Sequence, residues 1–411
     1  EAFKIILFFN YILGFIDFDM KYFIHLLLFL LLNSCSKKEI EIVIDPVEIR
    51  NMMVDKNATD ETTALFYNLK TFAKTNFAIG QQDAFNHFYQ NISGPSDIKK
   101  NTGKDVAMIG LDFSFINDDL NTGQPENWFY QQEIKIRQDA IKAYDQGSFV
   151  TFCWHFREPY KGLDFYTDKM DDFTKQNAFK SILPGGENHE YYKKKLDKIA
   201  DFTTNLHGSD GKQIPIIFRP FHEFDGSWFW WGADYCTSAE YKSMYTFTVE
   251  YLRDTKGVHN IIYAFSPDNR FFTIPDYLYR YPGDSYVDVL GMDNYGDFDN
   301  QGDAGVERAN NKLKIISDLA RQRNKIAALT ETGYQITESR APQIQFFSSK
   351  IYKALTNQNI EIAYVQFWGN SEKAYFVPAA NLPDSQDFID FINQPRAALL
   401  DDLTDIYRIN K

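Results

Sequence analysis

The sequence predicts an α/β protein, a (β/α)8 barrel formed by a single domain over residues 61–411. Eight short apolar runs recur along this part of the chain. Each run is rich in Ile, Val, Phe or Tyr and is bounded by Gly, Pro, Asp or Asn, as buried parallel strands are. Helix-like segments separate the runs, and this alternation is typical of the barrel. A doubly wound sheet gives the same alternation, but no GxGxxG follows the first strand.

The elements follow one another in a regular order. The predicted strands are Phe77–Gly80, Val106–Phe113, Ser148–His155, Pro215–Glu223, Asn260–Pro267, Val287–Asn294, Ile326–Gly333 and Ile362–Gly369. The clearest predicted helices are Gln131–Tyr144, Tyr191–Asn205, Ser238–Thr255, Gly305–Arg323 and Pro342–Thr356.

The first residues of the chain differ from the rest and predict export. Residues 1–19 precede the first sensible start, Met20, and we interpret them as a mis-called start. Residues 20–34 combine a positive charge, about a dozen apolar residues and a short polar end, as a secretory signal does. The apolar run is shorter than the ~20 residues that a transmembrane anchor needs, although such an anchor is the alternative.

Leu32-Asn33-Ser34-Cys35 resembles a bacterial lipobox, which implies that Cys35 is acylated and becomes the mature N-terminus. The charged residues 35–60 are then expected to form a tether. Several acyl chains would hold the protein at a membrane face. We therefore expect a lipid-anchored protein of the cell envelope, at the outer membrane, facing either the periplasm or the cell surface.

Composition excludes several classes of function. The formal net charge of −13 would repel phosphate backbones, so we expect no nucleic-acid partner. Three cysteines without a CxxC spacing do not form a disulfide framework. The chain also lacks the HExxH zinc motif, the GxSxG elbow and the P-loop, which disfavours those catalytic classes.

Chemically useful residues stand where the predicted strands end, which is where barrel active sites form. The third strand ends in His155, the fourth in His222-Glu223, the sixth in Asp293-Asn294-Tyr295, the seventh in Glu331 and the eighth in Trp368. Two carboxylates, Glu223 and Glu331, therefore face one mouth from opposite sides of the barrel. Retaining glycoside hydrolysis requires such a pair, one protonated and one ionised. Acidic residues at strand ends also occur by chance, but the aromatic neighbours favour a sugar site.

Four motifs make the interpretation specific. The longest is Arg219-Pro-Phe-His222-Glu223-Phe-Asp-Gly-Ser-Trp228-Phe-Trp-Trp231-Gly232, and it resembles the signature of glycoside hydrolase family 26, which consists chiefly of β-mannanases. Similar family elements are Asp293-Asn-Tyr295-Gly296, Thr330-Glu331-Thr-Gly333 and Gln366-Phe-Trp368-Gly369. The resemblance covers roughly residues 70–405. It implies a barrel of the retaining clan, with Glu223 as acid/base and Glu331 as nucleophile.

The resemblance also implies the residues that bind substrate. His155 would contact the sugar in the −1 subsite, and Trp368 would form the floor of that subsite. His222 would bond near the nucleophile or the sugar 2-hydroxyl, where related barrel families typically carry Asn. Tyr295 would donate its hydroxyl to Glu331 and keep that carboxylate ionised. Trp228 would face the acid/base on the leaving-group side.

Other residues near the strand ends are assigned no role. One of Trp230 and Trp231 is expected to be a core residue. Asp83 and Asp112 are as plausible as loop caps as they are as rim residues, and we leave both outside the predicted site.

We therefore expect a retaining enzyme that cleaves β-1,4-mannosidic linkages in mannan, galactomannan or glucomannan. The alternatives are the same mechanism on mixed-linkage β-glucan or β-1,3-xylan, and a non-catalytic glycan-binding lipoprotein. The expected partner is a β-mannan polysaccharide or manno-oligosaccharide, bound by a monomer. We expect no metal and no organic cofactor, because two carboxylates supply the chemistry.

Overall fold

The computed structural model describes residues 45–409. Eight parallel strands close into a barrel, because each pairs with the next and the eighth pairs back with the first, with Ala78 opposite Tyr364. The strands are β1 Phe77–Gln82, β2 Met108–Asp112, β3 Phe149–Cys153, β4 Ile216–Arg219, β5 Ile261–Phe265, β6 Val289–Asn294, β7 Ile326–Thr332 and β8 Tyr364–Phe367. All eight lie within or overlap the predicted runs, so the predicted (β/α)8 fold is confirmed.

Helices surround the barrel and connect its strands. They are α1 Pro46–Met52, α2 Asp60–Phe72, α3 Asp97–Thr102, α4 Ser114–Asn117, α5 Trp128–Gln146, α6 Asp172–Ile182, α7 His189–Thr204, α8 Ser238–Glu250, α9 Ile274–Leu278, α10 Gly302–Arg323, α11 Tyr352–Thr356 and α12 Ser385–Ile392. Two π-helical turns, Tyr251–Thr255 and Phe346–Ile351, extend α8 and precede α11. The described residues also form three two-residue strands: Ile336–Thr337, Ala374–Tyr375 and Ala397–Ala398.

Local sequence explains where the longer helices begin and end. The Asn127 side chain accepts the Tyr130 N–H at the start of α5, and Gly147 ends that helix in the left-handed conformation. Thr237 and Glu240 form a reciprocal capping box at the start of α8. The prediction for Pro342–Thr356 is correct only in its second part, because the helical turns begin at Phe346.

The core fills the barrel and the space between barrel and helices. Residues of all eight strands are buried almost throughout, which explains why the strands appear in the sequence as continuous apolar runs. Inside the barrel, the Gln366 side chain donates to that of Gln82 over 3.0 Å. A Cβ at Gly110 would overlap both of these side chains, so a larger residue there would displace their hydrogen-bonded amides.

The predicted start, signal peptide and acylated Cys35 lie outside the described residues. From Asp45 onwards, the segment that we predicted as a tether is part of the folded domain. Ile49 in α1 is buried, and the Val54 N–H donates to the buried Asp288 carboxylate over 2.8 Å. Within residues 45–409, the helices are too short or too polar to cross a membrane.

Candidate active site

A cleft of about 540 Å³ opens at the carboxyl ends of the barrel strands. The structure brings all seven predicted catalytic and substrate-binding residues to its wall: His155, His222, Glu223, Trp228, Tyr295, Glu331 and Trp368. They come from five different strand ends, so the closure of the barrel assembles the site.

Glu223 stands on a strained turn after β4. Phe221 and Glu223 both adopt left-handed backbone conformations, with φ of 52° and 54°, which non-glycine residues rarely occupy. The Glu223 N–H donates to the Ser266 carbonyl over 2.9 Å and holds this turn against the end of β5. On the same turn, the Trp228 indole N–H donates to the Glu223 carboxylate over 2.7 Å. These contacts fix the direction of the carboxyl group.

The surroundings of Glu223 favour its protonated form. Burial raises the pKa of Glu223 well above its usual range, and the negative charges of Asp293 and Glu331 raise it further. Asp268, on the loop after β5, acts in the same direction. A carboxyl group that keeps its proton near neutral pH can donate that proton to a leaving oxygen.

Glu331, near the end of β7, has the opposite surroundings. The Arg219 guanidinium donates through Nη2 to Oε1 of Glu331, and the Tyr295 hydroxyl donates to Oε2 over 3.1 Å. Burial raises the pKa of Tyr295 well above its usual range, and Glu331 adds to the shift, so the phenol remains a donor. Two donors aimed at the two oxygens stabilise the negative charge of the carboxylate.

Arg219, the first residue of the long motif, is the centre of a buried charge network. The sequence predicted no role for it. Its Nη1 donates to both oxygens of Asp293, each over 2.9 Å, and Thr330 also donates to Asp293 over 2.6 Å. Burial alone would lower the pKa of Arg219, but Asp293 and Glu331 outweigh burial and raise it. The signal that could have found this role is an arginine that ends a strand whose other residues are apolar.

A β-bulge sets the position of Glu331. The register of β6 against β7 runs from Met292 opposite Leu329 to Asp293 opposite Glu331, which leaves Thr330 as the extra residue. Bulges often re-aim a side chain next to an active site. Here the bulge sets Glu331 directly across from Asp293, so that Arg219 reaches both carboxylates.

The two histidines have pKa values shifted in opposite directions and lie edge to face, with ring centroids 4.7 Å apart. Burial opposes protonation of His155, but Asp112, whose Oδ2 lies 2.6 Å from Nδ1, outweighs it and raises the pKa. Burial lowers the pKa of His222 well below its usual range, and the charges of His155 and Arg219 add to the shift. His222 therefore faces the cleft as a neutral ring.

Two assignments change with the structure. Asp112 belongs to the site as the partner that orients His155, and it also accepts the His155 backbone N–H over 3.1 Å. Asp83 stays outside the site, and its Oδ2 lies 3.2 Å from His87 Nδ1. Both Trp230 and Trp231 are buried core residues, not one of the two, since their indole N–H groups bond the carbonyls of Phe156 and His222.

Seven further residues line the cleft and were assigned no role from the sequence. They come from the segments after β3, β4, β5, β6 and β8, and are Tyr166, Phe229, Asp268, Asn269, Arg270, Gly296 and Phe376. Asp268 lies three residues after the end of β5 and could have been found by the same strand-end argument. Phe229 and Gly296 stand within the quoted motifs, whereas loop conformation alone brings the remaining four to the cleft.

Two groups of side chains in the described part of the chain have metal-ligand geometry. One consists of Asp112, Cys153 and His155, and in the other, atoms of His222, Asp293 and Glu331 lie within 4.8 Å of one another. In the second group Arg219 already donates to both carboxylates, so a cation there would meet a fixed positive charge. That the protein needs no metal stays a prediction.

Comparison with known proteins agrees with this geometry. Residues 54–355 match the model of glycosyl hydrolase family 26. The chain is 35% identical to a mannan endo-1,4-beta-mannosidase of Bifidobacterium adolescentis over 378 residues, which is 84% of this chain but only 37% of that protein.

Solved structures extend the comparison. The structure of GH26C from Muricauda sp. MAR_2010_75 is 56% identical, with a TM-score of 0.88 over 90% of this chain and 99% of that one. BoMan26A, a GH26 beta-mannanase from Bacteroides ovatus, is 31% identical, with a TM-score of 0.76 over 85% of this chain and 98% of that one. The protein belongs to glycosyl hydrolase family 26.

Proposed function

We propose that this protein is a retaining glycoside hydrolase that cleaves β-1,4-mannosidic linkages in mannan, galactomannan or glucomannan. The observation that carries the proposal is a pair of carboxyl groups with opposite environments in one cleft. Glu223 is buried with a raised pKa, whereas Glu331 accepts hydrogen bonds from Arg219 and Tyr295. The names of the Bifidobacterium and Bacteroides relatives support mannan as the substrate.

The reaction follows as a double displacement. The Glu331 carboxylate attacks the anomeric carbon while the Glu223 carboxyl donates its proton to the leaving glycosidic oxygen. The products of this step are a covalent glycosyl-enzyme and a released sugar chain. Glu223, now ionised, then takes a proton from water, which attacks the anomeric carbon and restores Glu331.

The other residues of the cleft have supporting roles in this proposal. Arg219 and Tyr295 hold Glu331 and stabilise its charge before the attack. His155, oriented by Asp112, and the neutral His222 can hydrogen-bond sugar hydroxyls. Trp368 offers an aromatic face of the kind that stacks on pyranose rings.

The first prediction concerns substrate and stereochemistry. Side-by-side incubation with mannan, lichenan and β-1,3-xylan should release oligosaccharides from mannan most rapidly. NMR spectra of the first product formed should show the β configuration, because two displacements retain the starting configuration. Faster hydrolysis of lichenan or β-1,3-xylan would favour another β-glycan as substrate, and no turnover of any of the three would favour a binding role.

The second prediction separates the two carboxyl roles. Glu223→Gln should lose at least about 100-fold of its activity on polymer yet retain activity on aryl glycosides with good leaving groups, which need no proton donor. Glu331→Ala should lose activity on both, and azide should partly rescue it with an inverted product. Near-wild-type activity of Glu331→Ala on either substrate would contradict its assignment as nucleophile.

The third prediction concerns the pH dependence of the acid/base. Asp268 raises the pKa of Glu223, so Asp268→Asn should lower that pKa and shift the alkaline limb of the kcat/KM profile to lower pH by about 0.5 unit. Asp401→Asn removes an equal charge from an exposed side chain that does not line the cleft, and it should leave the profile unchanged. If the alkaline limb of Asp268→Asn stayed in place or moved to higher pH, the charge of Asp268 would not act on Glu223.

The fourth prediction concerns attachment. We propose that Cys35 is acylated and anchors the enzyme to the cell envelope, where it meets a polysaccharide or large oligosaccharide. Radiolabelled palmitate should enter the wild-type protein, and Cys35→Ala should move to a soluble fraction with the activity of the folded domain unchanged. Failure of the label to enter the wild-type protein would refute acylation. A membrane-bound Cys35→Ala variant would instead favour an uncleaved anchor.

A further inference from the structure

Arg270 lies on the rim of the cleft, on the loop that follows β5. Its guanidinium is positioned over the Trp228 ring, 5.0 Å from the centroid, in a cation–π contact. The side chain is 55% exposed, and its Nε lies 3.9 Å from Asp268 Oδ2. Trp228 is the residue whose indole N–H donates to the acid/base Glu223.

The position of Arg270 is set by Asp225, two residues after Glu223. One carboxylate oxygen of Asp225 accepts the Asp268 backbone N–H over 2.6 Å, and the other accepts the Arg270 backbone N–H over 3.2 Å. The segment that carries the acid/base is thus tied to the segment that carries the arginine. Movement of one would move the other.

Gly226, two residues before Trp228, also restricts the position of the Trp228 ring. A Cβ at Gly226 would overlap the outer carbons of the ring, so glycine is needed for the indole to fold back against the backbone. Gly226 and Arg270 therefore both restrict the ring whose N–H contacts Glu223.

We propose that Arg270 is a positioning residue, which holds the Trp228 indole in the orientation that donates its N–H to the Glu223 carboxyl. Asp225 places Arg270 for this role. The inference rests on the proposed function, because the group positioned is the proposed proton donor.

The indole hydrogen bond acts on the acid/base in two ways. It directs the carboxyl group, and it favours the ionised form, since a hydrogen bond to the charged oxygen stabilises that form. Other charged or titratable groups lie around Glu223 in the cleft or belong to the charge network beneath it. They come from several elements of the barrel: Tyr166, Arg219, His222, Asp268, Asp293, Tyr295 and Glu331. Arg270 also lies 3.9 Å from Asp268, whose charge acts on Glu223 directly. The comparison of Arg270 variants is therefore repeated in the Asp268→Asn background, where an upward shift of the Glu223 pKa on Arg270→Ala should persist if Arg270 acts through Trp228.

The test compares Arg270→Ala with Arg270→Lys and a matched control. Arg323→Ala removes another arginine over an aromatic ring, that of Tyr281 at 5.5 Å, at the end of α10 and away from the cleft. For Arg270→Ala, kcat/KM on mannan should fall about two- to fivefold, the factor that corresponds to an exposed cation–π contact. The alkaline limb should move up by about 0.3 to 0.7 pH unit, the same free energy expressed as a pKa.

The loss should depend on the substrate. An aryl glycoside with a good leaving group should be cleaved by Arg270→Ala at the wild-type rate, because that reaction needs no proton donor. Arg270→Lys keeps a cation near the ring and should restore most of the activity on mannan. An equal loss on both substrates, or a profile like that of Arg323→Ala, would overturn the inference while leaving the activity of the wild-type enzyme intact.

A titration independent of turnover completes the test. With glutamate labelled by ¹³C at the side-chain carboxyl, NMR can follow Glu223, assigned by the loss of its signal in Glu223→Gln. The pKa of Glu223 should be higher in Arg270→Ala than in the wild-type protein by about 0.3 to 0.7 unit. An equal pKa in the two proteins would refute the inference even if the wild-type enzyme proved inactive on mannan.

Discussion

The buried guanidinium of Arg219 is the interaction on which the rest of the site depends. It lies between Asp293 and Glu331 in the barrel interior and donates to both carboxylates. Buried charges are costly unless they are paired and hydrogen-bonded, and removal of one partner leaves the others uncompensated. Thr330 and Tyr295 extend the network, since Thr330 donates to Asp293 and the Tyr295 hydroxyl donates to Glu331.

Glu223 depends on a different balance of forces. The hydrogen bonds of Arg219 go to other partners, and the negative charges of Asp293, Glu331 and Asp268 act on Glu223, so burial and repulsion favour its neutral form. The left-handed conformations at Phe221 and Glu223 are unfavourable locally and persist because the β5 end and the Trp228 indole hold the turn. One cleft thereby contains two glutamates in different environments, one buried among negative charges and one that accepts hydrogen bonds from Arg219 and Tyr295.

The aromatic residues of the long motif divide between packing and the cleft. Trp230 and Trp231 are fully buried and bond backbone carbonyls, so they support the turn from beneath. Trp228 and Phe229 line the cleft. These four aromatic residues are consecutive, and the sequence alone does not reveal which of them are buried. The turn has no regular period that would assign alternate residues to one face.

The sequence by itself determined the barrel and the seven residues of its mouth, because buried parallel strands appear as continuous apolar runs and every strand ends at the same face. The family motif supplied roles for Glu223 and Glu331. Only the tertiary structure decided the rest: the bulge at Thr330 that sets Glu331 opposite Asp293, the pairing of Asp112 with His155, and the approach of Arg270 to Trp228. Each joins residues from different segments, and their meeting depends on register and loop conformation, which local composition does not encode.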